Sequence, residues 1–192
     1  MNLEGALTWA CEFEDQPYFA GFRALATNGV DLPVLNVFRM LALMKDRRLA
    51  VSSDGAVPLD AILKDGVRGR PDVSALAGRA DRSVTVLTWR DHDDDVAGPE
   101  AEVQVSIDGL PTGIGRARLR VYRLDTEHGN AYTVWLRMGS DSVPSPAQYA
   151  ALERAGQLAE ATGPGTIAVE NGRATLPLTL PRQSVVLVVV DW

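Results

Sequence analysis

At 192 residues the chain has room for one large domain or two small ones, and 46% hydrophobic with 23% charged residues sets it apart from disordered and low-complexity proteins. A formal net charge of −6, with 19 scattered basic residues, argues against a nucleic-acid partner, which would need clustered Lys and Arg. The single cysteine, Cys11, excludes an internal disulfide framework and a cysteine-rich zinc site, and reads most simply as a buried thiol.

In chain order, Gly5 to Glu14 is apolar at first and polar only at its end, as a strand buried on both faces becomes on reaching solvent. Pro17 to Val30, rich in aromatic residues and glycine, suits a structured loop. Pro33 then fits a first helical turn with Asp31 as candidate cap, and Leu35, Phe38, Leu41 and Ala42 recur at helical spacing, so Pro33 to Met44 is expected to be an amphipathic helix. Strand, loop and helix make half of an α/β unit, which cannot bury a parallel strand alone.

After Lys45 the period becomes alternating. Asp46 to Pro71 reads as a connection with a short strand at Leu49 to Ser52 and a turn at Asp54-Gly55. Strands are expected at Val73–Ala77, Ser83–Trp89, Glu102–Asp108, Arg116–Leu124, Thr166–Val169, Arg173–Leu178 and Ser184–Val190, with a helix at Ser145 to Leu158 capped by Ser145. Many short strands separated by turns predict a β-sandwich. The longest apolar run, Val185 to Val190, is about a third of a membrane span and β-branched, so it reads as a buried strand and no membrane segment is expected. No basic region, apolar core and cleavage site of a secretory leader is visible, and the compartment stays open between cytoplasm and periplasm.

Few residues carry chemistry. Glu12 and Glu14 lie near a strand's carboxyl end, where α/β folds build their sites, and two residues apart they share a face about 6–7 Å apart. Such a pair can in principle act on a glycosidic bond, though strand-end carboxylates are more often simply solvated. Trp9, on the same strand, is either a stacking platform for a sugar ring or core. The run Arg90-Asp91-His92-Asp93-Asp94-Asp95 has the carboxylates of a hard-cation site but lacks the glycine and terminal glutamate of a calcium loop, and is better read as a solvated loop. His128 has no nucleophile beside it in a recognisable setting. No phosphate-cradling loop, nucleophile elbow or His-Glu metal motif occurs, so neither metal nor cofactor is expected.

Three segments carry a more specific signal: Gly5-Ala6-Leu7-Thr8-Trp9-Ala10-Cys11-Glu12-Phe13-Glu14-Asp15, Leu32-Pro33-Val34-Leu35-Asn36-Val37-Phe38-Arg39-Met40 and Glu127-His128-Gly129-Asn130-Ala131-Tyr132-Thr133-Val134-Trp135. In order and spacing they resemble the carboxyl-terminal third of glycoside hydrolase family 39, the β-xylosidase and α-L-iduronidase family, with the β-xylosidase branch nearest. The resemblance implies a mainly β chain: a β-sandwich domain, 45–192, preceded by 1–44 as the last β/α unit of a (β/α)8 barrel. It also implies retaining hydrolysis by two glutamates from the fourth and seventh barrel strands, both upstream of these residues. No Asn-Glu-Pro acid/base motif is present. Trp9 would then stack on xylose, and Glu12, Glu14 or both would accept hydrogen bonds from ring hydroxyls. Cys11 stands where the family pattern implies a larger apolar residue.

The partners implied are a xylose-containing oligosaccharide and the missing barrel portion, or self-association in its absence. Leaving Leu7, Trp9, Leu35 and Phe38 uncovered would forfeit about 1.5–3 kcal/mol each, so the first 44 residues are expected to be held loosely or to associate. Two other readings stay open: a stand-alone carbohydrate-binding or structural module, and autonomous catalysis by Glu12 and Glu14.

Overall fold

The computed structural model describes residues 12, 16–20, 25–94 and 98–192. Apart from Glu12, the expected first strand from Gly5 to Glu14, with Trp9, Cys11 and Glu14, lies outside the described residues, and so does Asp95. Among the described residues, ten strands and four helices follow in the order β1 (Ala26–Thr27), β2 (Val30–Asp31), α1 (Pro33–Leu43), β3 (Arg47–Leu49), α2 (Leu59–Asp65), β4 (Asp72–Ala80), β5 (Ser83–Asp91), β6 (Ala101–Asp108), β7 (Arg116–Leu124), α3 (Ala131–Arg137), α4 (Pro146–Gly156), β8 (Glu160–Ala168), β9 (Arg173–Leu180) and β10 (Ser184–Asp191).

Six strands form one sheet in the order β3-β4-β5-β10-β7-β8, and β6 pairs with β9 in a second sheet. Every pairing is antiparallel. Alternation decides which side chains meet between the sheets. Val84 and Val86 of β5, Ala117 and Val121 of β7, and Val186, Val188 and Val190 of β10 face Ile107 of β6 and Ala174 and Leu180 of β9, forming the main core. The mainly β sandwich expected from the alternating segments is therefore present. Arg116–Leu124 is a strand over the residues its alternation marks.

The six-stranded sheet is also covered on its other face. There Leu187 and Val189 of β10 join Leu87 of β5, Leu124 of β7 and Met40 of α1, with Val37 and Met44 packed around them. This is why β10 reads as an unbroken apolar run: Val186 to Val190 are all at most 2% exposed, although consecutive residues point to opposite faces.

Helix α1 forms where expected but turns a different face inward. Asn36, Val37, Met40 and Met44 meet the interior, whereas Val34 and Leu41 are exposed and Leu35 and Phe38 only half-buried. Asp31 does not cap it. The residue at the cap position, Leu32, makes no side-chain hydrogen bond to the helix start, while the Asp31 carboxylate binds Arg39 and Gln157.

Three elements were not expected: α2 inside the 46–71 connection, α3 after Asn130, and the β1–β2 hairpin inside the aromatic loop. Helix α4, by contrast, starts on a full capping box. Ser145 accepts from the Gln148 amide at 3.3 Å, and the Gln148 side chain accepts from the Ser145 amide at 2.8 Å. Replacing Ser145 by alanine is expected to cost about 1 kcal/mol in urea denaturation, and a loss below a few tenths would show that packing alone holds this helix start. Among the described residues no helix is long and apolar enough to cross a membrane.

Candidate functional site

Glu12 is the one predicted site residue that the described structure places. Its side chain is exposed, and its Oε1 accepts a hydrogen bond from the Gly29 amide at 2.8 Å. Gly29 and Asn28 form the two-residue turn of the β1–β2 hairpin, with φ of 80° and 48°. Two consecutive left-handed residues are what a type I′ hairpin turn requires, and Asn-Gly is its preferred pair. Residues 16–20 are tied to the hairpin as well: Asn28 Nδ2 donates to the Gln16 carbonyl at 3.2 Å, and the Phe19 amide donates to Thr27 Oγ1 at 3.0 Å.

The hairpin and this segment rest on α3 and α4. Val30, Ala131 and Leu152 are fully buried between them, with Tyr18, Phe19, Val134, Trp135, Met138 and Tyr149 packed around. Phe19 stacks in tilted geometry on Trp135, ring centroids 5.0 Å apart, and on Tyr132 at 5.6 Å. Trp135 Nε1 donates to the Asp141 carbonyl at 2.9 Å, which satisfies its polar edge.

Next to this cluster lies a polar junction with no sequence forewarning. Asn36 of α1, fully buried, donates through Nδ2 to the carbonyls of Gly156 at 2.7 Å and Gly129 at 3.0 Å, and its Oδ1 accepts from Arg39 at 2.9 Å. Arg39 also pairs with Asp31 at 2.7 Å, and Asp31 accepts from Gln157 at 2.9 Å. Helix α1, strand β2, the 125–130 loop and the end of α4 are thereby pinned to one another.

His128 sits on that loop. Its Nδ1 lies 2.8 Å from Oδ1 of Asp125, a buried carboxylate that also accepts from the amides of Glu127 and His128. Asn130 caps α3 through the Thr133 amide. The histidine is thus a hydrogen-bonded loop residue. Beside it Glu127 pairs with Arg137, whose guanidinium holds the carboxyl below its ordinary range.

His92 differs from the solvated loop residue expected. It is buried, with Nε2 3.0 Å from the Arg68 carbonyl and Nδ1 accepting from the Asp94 amide at 3.0 Å, and Asp93 accepts from the Val67 amide at 2.9 Å. These groups fasten the end of β5 to the 66–68 turn. Among the described residues no three His, Cys, Asp or Glu side chains gather as metal ligands. A polar groove of about 510 Å³ is lined by Asp108, Ala168, Glu170, Asn171, Arg173 and Thr175. It belongs to β6, β8, β9 and their turns, not to the segment that carries Glu12.

The architecture is that of an antiparallel sandwich bearing helices on one side, with an exposed, oriented carboxylate on the segment ahead of α1. The chain belongs to glycosyl hydrolases family 39, whose model matches residues 6–170. Among solved structures it is similar to a monomeric β-xylosidase from Caulobacter crescentus CB15, at 20% identity and a TM-score of 0.65, over 88% of this chain and 32% of that one. A GH39 enzyme from Xanthomonas axonopodis pv. citri is similar at 17% identity and a TM-score of 0.68, over 88% of this chain and 32% of that one. A bacterial orthologue of human α-L-iduronidase matches at 24% identity and a TM-score of 0.68, over 84% of this chain and 27% of that one. The chain therefore spans about a third of these relatives, and the likeness to them is one of fold.

Proposed function

We propose that the chain is the carboxyl-terminal part of a retaining glycoside hydrolase that removes terminal xylose from xylo-oligosaccharides. On this reading residues 1–44 are the last strand, loop and helix of a (β/α)8 barrel, and residues 45–192 are the accessory sandwich. The observation that carries it is membership of glycosyl hydrolases family 39 over residues 6–170 in a chain one third as long as its solved relatives. The outward apolar residues of α1, Val34 and Leu41, are the kind of surface a barrel portion would cover.

In this role Trp9 offers a ring face to the sugar, and Glu12 and Glu14 accept hydrogen bonds from its hydroxyls. A carboxylate with one oxygen already held by a backbone amide presents the other in a fixed direction, and charge-assisted bonds of this kind orient a ligand well. The two glutamates that break the glycosidic bond come from barrel strands upstream, so the chain alone binds without cleaving.

Titration of the chain with xylose is expected to show weak saturable binding that Trp9→Ala and Glu12→Gln reduce about tenfold or more, with no nitrophenol release from an aryl xyloside. Hydrolysis by the chain that disappears in Glu12→Gln or Glu14→Gln would overturn the reading in favour of autonomous catalysis. Equal affinity for glucose would overturn the xylose assignment.

A further inference from the structure

We infer that Tyr149 of α4 is a positioning residue for the Glu12 carboxylate, acting through the Asn28-Gly29 turn; the inference rests on the sugar-binding role proposed for Glu12. The β1–β2 hairpin has only two ladder pairs, Ala26 with Asp31 and Thr27 with Val30. A hairpin so short does not hold its own shape in water and takes it from what it packs against. Here that support is α4, which meets both ends of the hairpin.

At the turn, the Tyr149 hydroxyl donates to the Asn28 carbonyl at 3.2 Å. The fit is close: a Cβ on Gly29 would lie 2.7 Å from that hydroxyl oxygen, and the φ of 80° at Gly29 is one that other residues rarely adopt. At the far end, a Cβ on Gly156 would lie 2.8 Å from the Asp31 carbonyl, and Gln157 binds the Asp31 carboxylate. Helix and hairpin are therefore in contact at each end, through the Tyr149 side chain at the turn and backbone to backbone where Gly156 meets Asp31. The Gly29 amide, fixed in direction by this contact, donates to Glu12 Oε1 at 2.8 Å. Partial burial, with the negative charge of Glu153 and the nearby Tyr18 and Glu12, raises the Tyr149 pKa and keeps the phenol a donor. Tyr149 itself has no place among the sugar-contacting groups. Its effect is to decide where the turn amide points, and so which way Glu12 faces.

The test uses the whole 192-residue chain, isotopically labelled, with two readouts: hydrogen exchange at the Gly29 amide without sugar, and affinity for xylose. Tyr149→Phe keeps the ring that packs near Leu152 and removes only the hydroxyl. It is expected to speed Gly29 exchange about fivefold and to weaken xylose binding by a similar factor, while exchange within α4 stays unchanged. In the Glu12→Gln background it is expected to cost little further affinity, because the two changes break one chain of contacts. Gly29→Ala, which strains the same turn from the opposite side, is expected to weaken xylose binding likewise. Unchanged Gly29 exchange in Tyr149→Phe overturns the inference. So does faster exchange with undiminished affinity in a chain where Glu12→Gln abolishes binding. A wild-type chain with no xylose affinity overturns the role of Glu12 itself, and the sugar-free exchange readout then still shows whether Tyr149 sets the turn.

Discussion

Leu187→Ala is expected to lower the stability of the chain by about 3–4 kcal/mol in urea denaturation. Leu187 is 0% exposed in the central strand β10, and it points at α1. Its neighbours there are Met40, Leu87, Leu124 and Val189, drawn from four different elements, so the space it leaves cannot be closed by one local shift. Leu→Ala at Leu63, which is 70% exposed on α2, is the control and is expected to change stability by less than about 0.5 kcal/mol. The location of the damage is as informative as its size. Because Leu187 faces α1 whereas Val188 faces the opposite sheet, Leu187→Ala should selectively raise hydrogen exchange in α1, and Val188→Ala should not. A loss under about 1 kcal/mol, or equal effects on α1 from both variants, would mean that the helix is not anchored through this face.

That anchoring bears on how far the sequence can be read. Strands with a clean period of two, such as Arg116–Leu124, could be placed from their alternation, because one face is buried and the other wet. Helix α4 was legible from Ser145-Pro146, which is cap chemistry written locally. The inward face of α1 was not legible. Apart from Asn36 and Arg39 the helix is apolar all round, so a stripe through Leu35, Phe38 and Leu41 looks as good as the one actually buried through Val37, Met40 and Met44. Helix α3 was hidden for another reason: its seven residues, Ala131 to Arg137, include Tyr132, Thr133, Val134 and Trp135, which favour strands, and only tertiary packing overrides that preference.

The candidate site divides in the same way. Glu12 could be singled out as a carboxylate near a strand end, and Asn28-Gly29 is a recognisable turn pair. That the turn amide binds Glu12, and that Tyr149 binds the turn, depends on which helix lies beside the hairpin. No local pattern records that. A pairing of Tyr149 with residues near the other end of the chain becomes visible only once α4 is packed against β2.

Asn36 provides the second large effect, and the chemistry of its replacement decides the size. Its amide nitrogen serves two carbonyls, at Gly156 and Gly129, in a position with no exposed surface. Asn36→Ala removes both bonds and the acceptor for Arg39, and leaves buried groups without partners; about 2–3 kcal/mol of stability is expected to be lost. Asn36→Asp conserves shape and the contact with Arg39, yet at neutral pH it turns an oxygen toward two carbonyl oxygens and brings no donor to either. It is therefore expected to be the worse of the two despite being nearly isosteric, by about 1 kcal/mol or more, in urea denaturation at pH 7. The reverse order would mean that water enters and satisfies the carbonyls, and that the junction is held by apolar packing. If the expected order holds, α1, the 125–130 loop and α4 are joined by hydrogen-bond direction rather than by bulk. The hairpin that orients Glu12 hangs on that same junction through Asp31, bound by Arg39 on one side and Gln157 on the other. Loosening Asn36 is then expected to reach the site as well, as faster amide exchange at Gly29 in Asn36→Ala.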